Sequence, residues 1–395
     1  MEKPNKNRYL GVHCYASAGA ILTHYVIDAA DGSITPQAAL AMPSRVQYAW
    51  LHPTAPYLVA VSSDGSPELK GTSHCLVTVK IDGETRALQQ IVGKVALPGR
   101  AVHMTLDGDG THALVAYARP SGLEVYPLHA DGGIGNVLSQ NATIDPGIYA
   151  HQVRVTPSNK ALVIVARGNN PKDGAAEDPG ALKLHHYSRG QVQIAQSVAP
   201  NGGYGFGPRH IDFHPTQPWL YASLERQNLL HMYRMHADGT TCDAQPAYVK
   251  ATLADVANVR PRQRSGTIHM HPNGCFVYVA NRASAVESFN GQDIYVGGEN
   301  NIAVYAIDAT TGEPTSIQHE DTRGVVARTF ALDASGNWLV AANSVPILVK
   351  EGDNVVTLPP RLAVFRVGGD GKLTYMSKCD VVSNGQPLFW MGVVS

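Results

Sequence analysis

The sequence has few cysteines and no long hydrophobic run. Its five cysteines are scattered among 395 residues and form no C-x-x-C pair, so neither a disulfide framework nor a cysteine-based zinc site is expected. The amino-terminal MEKPNKNRYL lacks the apolar core of a secretory signal, and no apolar run approaches membrane-spanning length. These absences predict a cytoplasmic protein with no membrane partner.

An excess of charge of one sign is also missing. The 31 Lys and Arg residues nearly balance the 32 Asp and Glu residues, so no overall field attracts nucleic acid. The sequence has no G-x-S-x-G, H-E-x-x-H or P-loop motif, and no cofactor is predicted. What the sequence does contain is 38 glycines, 25 prolines and 44% apolar residues, which indicates a turn-rich β protein with a large core.

A repeated pattern organises the chain. One unit consists of an apolar strand, a turn, a second strand that ends in a polar residue, and two further strands. Its turn markers are Pro53, Gly108, Pro157, Pro215, Pro272 and Ala334. A period of about 50–60 residues with four strands per unit is typical of a β-propeller. His271-Pro272 repeats His52-Pro53 and His214-Pro215, so this histidine is interpreted as part of the turn and not as a metal ligand.

The two ends of the chain complete a seventh unit. Tyr9–Tyr15 and Ala20–Asp28 resemble later strands of a unit, whereas the C-terminal QPLFWMGVVS resembles a first strand. Pairing these segments would close the ring and remove exposed sheet edges. The prediction is therefore an all-β, seven-bladed propeller with four-stranded blades, forming one domain over residues 1–395 in which a monomer can satisfy its own core.

Four insertions interrupt the period, near residues 65–72, 168–180, 283–300 and 345–359. Each falls between the second and third strand of its unit. In a propeller this connection lies on the same face as the entry to the innermost strand. Long loops on one face commonly build or cover a site.

Polar residues recur at three positions when the six complete units are aligned. The first position, near the start of the first strand, holds Gln47, Val102, His151, Arg209, Gly266 and Arg328. The next position holds Tyr48, His103, Gln152, His210, Thr267 and Thr329. The end of the second strand holds Ser63, Arg119, Arg167, Glu225, Arg282 and Ser344. All three positions open onto the loop-rich face, so His, Arg and Glu side chains are expected to converge on one funnel.

A single charge at a strand end is commonly solvated or paired with a neighbouring blade. Several Arg residues and one Glu at equivalent positions, next to His and Arg at another, are better explained by a binding site. Guanidinium groups arranged in this way would attract and orient a carboxylate or phosphate.

The motifs GPRHIDFHP, LYASLE, TIHMHPNGCFVYVANR and GIYAHQV resemble the lactonase family of seven-bladed propellers. That family includes the bacterial propeller-type 6-phosphogluconolactonases and the fungal-type carboxy-muconate lactonizing enzymes. The resemblance covers nearly the whole chain, and it implies a site formed by His151, Arg209, Glu225 and Arg282. His103 and His210 match further polar positions of the same pattern.

The resemblance implies hydrolysis of an anionic sugar-acid lactone, with no metal. In this hypothesis Glu225 or His151 takes the proton of a water, and Arg209 and Arg282 stabilise the oxyanion. The remaining arginines would bind the anionic substituent of a small-molecule lactone or sugar acid; they are Arg167, Arg119 and Arg328. Two alternatives stay open at this point: a muconate lactonizing enzyme with nearly the same residues, and a non-catalytic platform that binds proteins.

Overall fold

The computed structural model describes residues 11–394, apart from 173 and 353. Predictions on residues 1–10, 173, 353 and 395, including the start of Tyr9–Tyr15 and the limits of the domain, lie outside the described residues. The described residues form 31 strands, and their only helical element is a 3-10 turn, Pro200–Gly203. No helix in this part of the chain has the length and apolar character needed to cross a membrane. The fold is all-β, as predicted.

Seven sheets follow one another along the chain. The first sheet contains β1 (Val12–Ala18), β2 (Ile21–Ile27), β3 (Ile34–Ala41) and the C-terminal β31 (Leu388–Val394). The second contains β4 (Val46–Leu51), β5 (Tyr57–Ser63), β6 (His74–Ile81) and β7 (Leu88–Ala96). The third contains β8 (Ala101–Leu106), β9 (His112–Ala118) and β10 (Ser121–Pro127). The fourth contains β11 (Ala150–Val155), β12 (Ala161–Ala166), β13 (Ala181–Ser188) and β14 (Gln191–Val198).

The remaining three sheets follow the same order, with interruptions in the last two. The fifth contains β15 (Pro208–Phe213), β16 (Trp219–Leu224), β17 (Leu229–Arg234) and β18 (Tyr248–Ala251). The sixth contains β19 (Arg264–Met270), β20 (Phe276–Arg282), β23 (Asn301–Ile307) and β24 (Pro314–Asp321). The seventh contains β25 (Ala327–Leu332), β26 (Trp338–Asn343), β29 (Arg361–Val367) and β30 (Leu373–Asp380).

The first strands of these sheets contact one another in a cyclic order. Strand β31 contacts β4, and the contacts continue through β8, β11, β15, β19 and β25 before returning to β31. Seven hydrophobic clusters fill the spaces between neighbouring sheets. One of them joins the seventh sheet to the first, through residues that include Val364 and Ile27. This arrangement matches the predicted order of blades in a propeller.

Burial explains the composition of the strands. Every residue of β12, ALVIVA, is buried, because a second strand is covered by neighbouring sheets on both faces and therefore reads as a continuous apolar run. The fourth strand β3 has six exposed residues of eight. The chain thus places its apolar strands inside and its polar strands at the periphery.

The C-terminal strand occupies the first-strand position of the first sheet. It pairs antiparallel with β1, with Cys14 opposite Val393 and Ala16 opposite Met391. This pairing agrees with the predicted role of the segment QPLFWMGVVS.

The prediction of four strands in every sheet is wrong for the third sheet, which ends at β10. The chain beyond β10 makes only separate backbone hydrogen bonds to it: Leu138 N–H donates to Val125 O (2.8 Å), and Gly135 N–H donates to Pro127 O (2.9 Å). The physical reason is local sequence. Pro127 has no N–H to donate, and the glycines that follow it disfavour a regular strand.

The His-Pro turns connect neighbouring sheets. His271 Nδ1 accepts a hydrogen bond from Asn273 N–H (3.1 Å), and its Nε2 donates to Gly336 O (2.9 Å) in the next sheet. His52 makes the equivalent bond to Gly110 O (2.9 Å). Gly110 has a φ of +70°, and an added Cβ would lie 2.5 Å from the His52 ring. The prediction that His271 is part of the turn is therefore confirmed.

All four insertions lie between second and third strands, as predicted, but two of them are more ordered than loops. They contribute β21 (Val286–Phe289), β22 (Gln292–Tyr295), β27 (Ile347–Glu351) and β28 (Asn354–Leu358). These strands form an additional sheet through a parallel contact between Ile294 and Leu348. Because two insertions distant in sequence must meet to form it, the repeat alone does not predict this sheet.

Candidate active site

The first strands of all seven sheets share an irregularity that shapes the site. The register of each first strand shifts against the second strand at an equivalent point. In the first sheet the residue at this shift is Phe389. In the other six sheets the residues are those of the first predicted position: Gln47, Val102, His151, Arg209, Gly266 and Arg328. A bulge changes the direction of a side chain and is common beside active sites. Here it brings two consecutive residues together, since Arg209 Nη1 lies 3.3 Å from His210 Nε2.

Glu225 is the centre of the site. It follows β16 directly and is only 2% exposed. Its carboxylate forms ion pairs with Arg167 (Nη1 to Oε2, 3.1 Å), with Arg209 (Nε to Oε1, 3.2 Å) and with Arg282 (Nη2 to Oε1). We call these four residues the Glu225 cluster. They come from the fourth, fifth and sixth sheets, so three consecutive sheets assemble them.

The charges of this cluster determine its titration. Burial alone would raise the pKa of the Glu225 carboxyl, but the guanidinium groups of Arg282, Arg209 and Arg167 outweigh it and lower that pKa to about 2. Burial lowers the pKa of Arg209 well below its ordinary value, and the neighbouring Arg282 adds to this effect. Three guanidinium groups thus share one carboxylate. The cluster keeps an excess of positive charge that a substrate anion or a developing oxyanion can neutralise.

Three histidines lie beside the cluster. The rings of His151 and His210 have centroids 5.3 Å apart, and those of His103 and His210 are 5.9 Å apart. Burial lowers the pKa of all three well below 6.5, and Arg209 adds to the effect in each case. They are therefore neutral at pH 7. Both ring nitrogens of His103 and Nδ1 of His151 are buried without a hydrogen-bond partner in the described part of the chain.

Tyr149 is a site residue that the three aligned positions do not include. It precedes β11 and has a φ of +61°, a conformation that is strained for a bulky residue and that often marks a functional site. Its ring stacks on His151 with centroids 6.2 Å apart. The guanidinium carbons of Arg167 and Arg119 lie 4.0 Å and 5.4 Å from its centroid.

The structure brings most of the nine predicted residues together. Arg167, Arg209, Glu225 and Arg282 form one ion-pair cluster, and the three histidines adjoin it. Arg119 is exposed and reaches the site only through the face of Tyr149. Arg328 forms no ion pair with Glu225 among the described residues, although Glu225 raises its pKa; it stacks on Phe389, with its guanidinium carbon 3.9 Å from the ring centroid.

The missed residues share one position in the repeat. Two residues before each bulge the units read Arg45, Arg100, Tyr149, Gly207, Arg264 and Val326. Arg264 lies close enough to Glu225 to help lower its pKa, and Arg100 donates from Nε to Gln47 Oε1 (2.8 Å). Aligning the units at a fourth position, two residues before each bulge, would have identified all of these polar residues.

A second polar group lies further along the same first strands. Asp212 Oδ1 accepts a hydrogen bond from Arg154 Nη2 (2.9 Å), and Asp212 Oδ2 lies 3.6 Å from His269 Nδ1. The guanidinium carbon of Arg154 is also 5.0 Å from the centroid of Trp50. In this group the charges are paired, in contrast to the excess of arginine around Glu225. Among the described residues, no group of three or more His, Cys, Asp or Glu side chains is arranged to hold a metal ion.

Comparison with known proteins identifies relatives of this fold. The sequence profile of the family "Lactonase, 7-bladed beta-propeller" matches residues 9–349. The 6-phosphogluconolactonase of Bacillus subtilis is 25% identical over 248 residues, which are 61% of this chain and 62% of that protein, so the match spans less than two thirds of either. The 6-phosphogluconolactonase of Pectobacterium atrosepticum is 24% identical over 315 residues, 79% of this chain and 82% of that protein.

Solved structures show the same fold. The periplasmic gluconolactonase of Pseudomonas aeruginosa superposes with a TM-score of 0.72 at 20% identity, covering 98% of this chain and 99% of that one. A protein from Lactobacillus plantarum superposes with a TM-score of 0.66 at 17% identity, covering 97% and 99%. At these identities the likeness concerns the fold alone.

Proposed function

This chain belongs to the lactonase family of seven-bladed β-propellers, and we propose that it is a closed, single-domain propeller that hydrolyses an anionic sugar-acid lactone without a metal ion. The observation that carries the proposal is the Glu225 cluster, in which three guanidinium groups, one buried and two largely buried, share one carboxylate. The names of the relatives, which are 6-phosphogluconolactonases, support lactone hydrolysis as the reaction.

A lactone is an ester closed into a ring, and its hydrolysis develops negative charge on the carbonyl oxygen. Arg209 and Arg282 are suited to stabilise this charge, because their side chains are only 3% and 11% exposed and carry their positive charge before the reaction begins. Fixed donors in a site that excludes water act more strongly than they would in bulk solvent. In this mechanism Glu225 orients the arginines.

We propose His151 as the base that takes the water proton. The Glu225 carboxylate is occupied by three ion pairs, whereas Nδ1 of His151 is buried with no hydrogen-bond partner among the described residues and a neutral imidazole can accept a proton. His151 is neutral at pH 7 and adjoins the cluster through His210 and Arg209. As water bonds to the carbonyl carbon, His151 takes its proton. When the ring C–O bond breaks, the proton passes to the departing ring oxygen, and one water has been added overall.

The remaining predicted residues would bind the substrate. Arg167 and Arg119 lie on the face of Tyr149, and Arg328 lies on Phe389. These aromatic contacts hold the guanidinium groups in place for a carboxylate or phosphate. His103 and His210 offer neutral ring nitrogens to the hydroxyl groups of a sugar acid.

No specific observation favours a lactonizing enzyme or a non-catalytic platform, and both stay sequence-based alternatives. Cytoplasmic placement likewise stays a prediction, since one neighbour in fold is named as periplasmic.

The proposal is tested by following acid release from sugar-acid, phosphosugar-acid and carboxylated lactones with a pH indicator. We expect catalysed hydrolysis of one anionic class, retained in the presence of a chelator. Rates equal to spontaneous hydrolysis for all three classes would contradict the proposal.

A further inference from the structure

A second group of arginines lies beside the Glu225 cluster and has no carboxylate of its own. It consists of Arg45, Arg100 and Arg328, which precede or begin the first strands of the second, third and seventh sheets. None of the three forms an ion pair among the residues that the structure describes. Two acidic side chains influence the group without forming an ion pair with it: Glu225 raises the pKa of Arg328, and the exposed Glu68, on the insertion 65–72, raises the pKa of Arg100.

An aromatic ring on the C-terminal strand holds two of these arginines. The guanidinium carbons of Arg328 and Arg45 lie 3.9 Å and 5.7 Å from the centroid of Phe389. Arg328 Nε also donates to Phe389 O (3.2 Å). Planar stacking of this kind fixes a guanidinium while leaving its edge free for a ligand.

The third arginine is held by a buried amide. Arg100 Nε donates to Gln47 Oε1 (2.8 Å), and Gln47, which is 2% exposed, donates in turn to Ser63 O (3.3 Å). Within the described chain, the terminal nitrogens of Arg100 and Arg328 have no hydrogen-bond partner, and Nε of Arg45 is buried without one. A buried donor without a partner, such as Arg45 Nε, points to a missing acceptor, and the terminal nitrogens of Arg100 and Arg328 are open to the same ligand.

The electrostatics agree with this geometry. Burial, together with the neighbouring Arg282 and Arg100, lowers the pKa of Arg328 to about 9, although Glu225 opposes this shift. Burial also lowers the pKa of Arg100, and Arg45 adds to that effect, although the Tyr149 side chain opposes it. Keeping these cations close together is unfavourable in the free protein. A bound anion would relieve their repulsion.

We propose that Arg45, Arg100 and Arg328 form an anion subsite that binds a doubly charged, tetrahedral oxyanion, the chemistry of a phosphate monoester, at a distance from the lactone carbonyl. Three guanidinium groups offer more donors than the two oxygens of one carboxylate can accept, whereas a phosphate presents three charged oxygens. The inference rests on the proposed function, because it assigns the two ends of the substrate to different arginines: the carbonyl to Arg209 and Arg282, and the remote anion to the group on Phe389.

The test is equilibrium binding of inorganic phosphate, measured by calorimetry on the full chain. The variants are Arg100→Met and Arg328→Met, each of which keeps an unbranched apolar stem. Arg366→Met is the matched control, because Arg366 stacks on Trp338 at 4.8 Å but is exposed and lies on the third strand of its sheet, away from the first-strand bulges. We expect the dissociation constant for phosphate to rise about tenfold or more in the two subsite variants and to be unchanged in the control.

A kinetic comparison adds a readout that a merely structural role would not change. In Arg328→Met we expect KM for a phosphorylated sugar lactone to rise about tenfold, with kcat little changed. For the unphosphorylated lactone we expect a smaller rise in KM than for the phosphorylated one, because only the phosphorylated lactone carries the remote anion. If Arg328→Met unfolds, as judged by thermal melting, Arg100→Met provides the same comparison, since Arg100 is anchored by Gln47 and not by the core.

Absence of phosphate binding in the wild type, or equal binding in all variants, would overturn the subsite. Phosphate binding requires no turnover, so the two proposals fail separately. Phosphate binding that depends on Arg100 and Arg328, without catalysed lactone hydrolysis, would support the subsite and contradict the proposed function. Lactone hydrolysis without phosphate binding would support the proposed function and contradict the subsite.

Discussion

Glu225 and Arg282 form an ion pair across the boundary between the fifth and sixth sheets. Glu225 follows the second strand of its sheet and Arg282 ends the second strand of the next, so equivalent ends of neighbouring blades carry opposite charges. Arg167 completes the relationship from the other side, as the equivalent residue of the fourth sheet. A carboxylate flanked by arginines from both neighbouring blades is held in one position, and it holds those arginines in turn.

Replacing Glu225 by Gln is expected to reduce kcat/KM for lactone hydrolysis by about 100-fold or more, because the arginines lose the charge that orients them. Loss of the buried carboxylate also leaves guanidinium charges unpaired, so the melting temperature should fall. Glu313→Gln is the matched control, since Glu313 pairs with Lys250 at an exposed surface where such pairs contribute little. Equal kcat/KM in Glu225→Gln and Glu313→Gln would contradict a role for Glu225 in the active site.

The assignment of His151 as base predicts a particular pH profile. A base must be neutral to accept a proton, and the pKa of His151 lies well below 6.5. We therefore expect kcat/KM to stay constant from pH 7 down to below 6.5 and to fall only at lower pH. His151→Asn should lower kcat by about 100-fold or more with little change in KM. The residual activity of His151→Asn should no longer show this fall at low pH. If kcat/KM of the variant falls at the same acidic pH as in the wild type, His151 is not the base.

Stability should decrease in mild acid because of buried histidines. Burial lowers the pKa of both His24 and His231 to about 4, below the value of about 6.5 in the unfolded chain. Their contribution to the free energy of unfolding is complete above about pH 6.5 and is lost as pH falls towards 4. Glu225, with its pKa of about 2, loses its contribution only below about pH 4.5.

Urea unfolding at about pH 7.5, 6 and 5 distinguishes these groups, because this range covers the titration of an unfolded histidine and lies above that of Glu225. We expect the midpoint to fall steadily across this range, and to fall less in His231→Gln. A free energy of unfolding that is constant over the range would show that these histidines do not titrate with unfolding.

The contact between His-Pro turns and glycines predicts a stability effect far from the funnel. Gly110→Ala places a Cβ 2.5 Å from the His52 ring at a φ of +70°, so we expect a loss of about 1–3 kcal/mol in the free energy of unfolding. Gly83→Ala is the control, since no atom lies within 4 Å of an added Cβ there. Chemical denaturation of both variants measures the difference, and equal stability would mean that the turns do not join the sheets as described.

Much of the fold is visible in the sequence because each unit repeats the same alternation of apolar strands and turns. The repeat also locates the ends of the second strands, and for this reason the sequence alone predicts that Arg167, Glu225 and Arg282 meet. The short third sheet was missed because Pro127 and the glycines after it stop a strand for reasons local to that unit. The sheet formed by two insertions was missed because it depends on contacts between segments that are distant in sequence.

The site was predicted less completely than the fold. A bulge in each first strand redirects side chains, and no composition rule locates bulges in advance. Arg45, Arg100 and Tyr149 lie before those bulges, in connections that an alignment of strands alone leaves out. Their part in the site becomes apparent only when Phe389, near the end of the chain, is packed beside them.

The most direct measurement is the rate of acid release from a phosphorylated sugar lactone at about pH 7, compared between the wild type and Glu225→Gln. The mechanism predicts catalysed ring opening in the wild type and a rate close to spontaneous hydrolysis in the variant. Equal rates in the two proteins, or no catalysed hydrolysis by the wild type of this or any other anionic lactone, would contradict a lactonase built around Glu225.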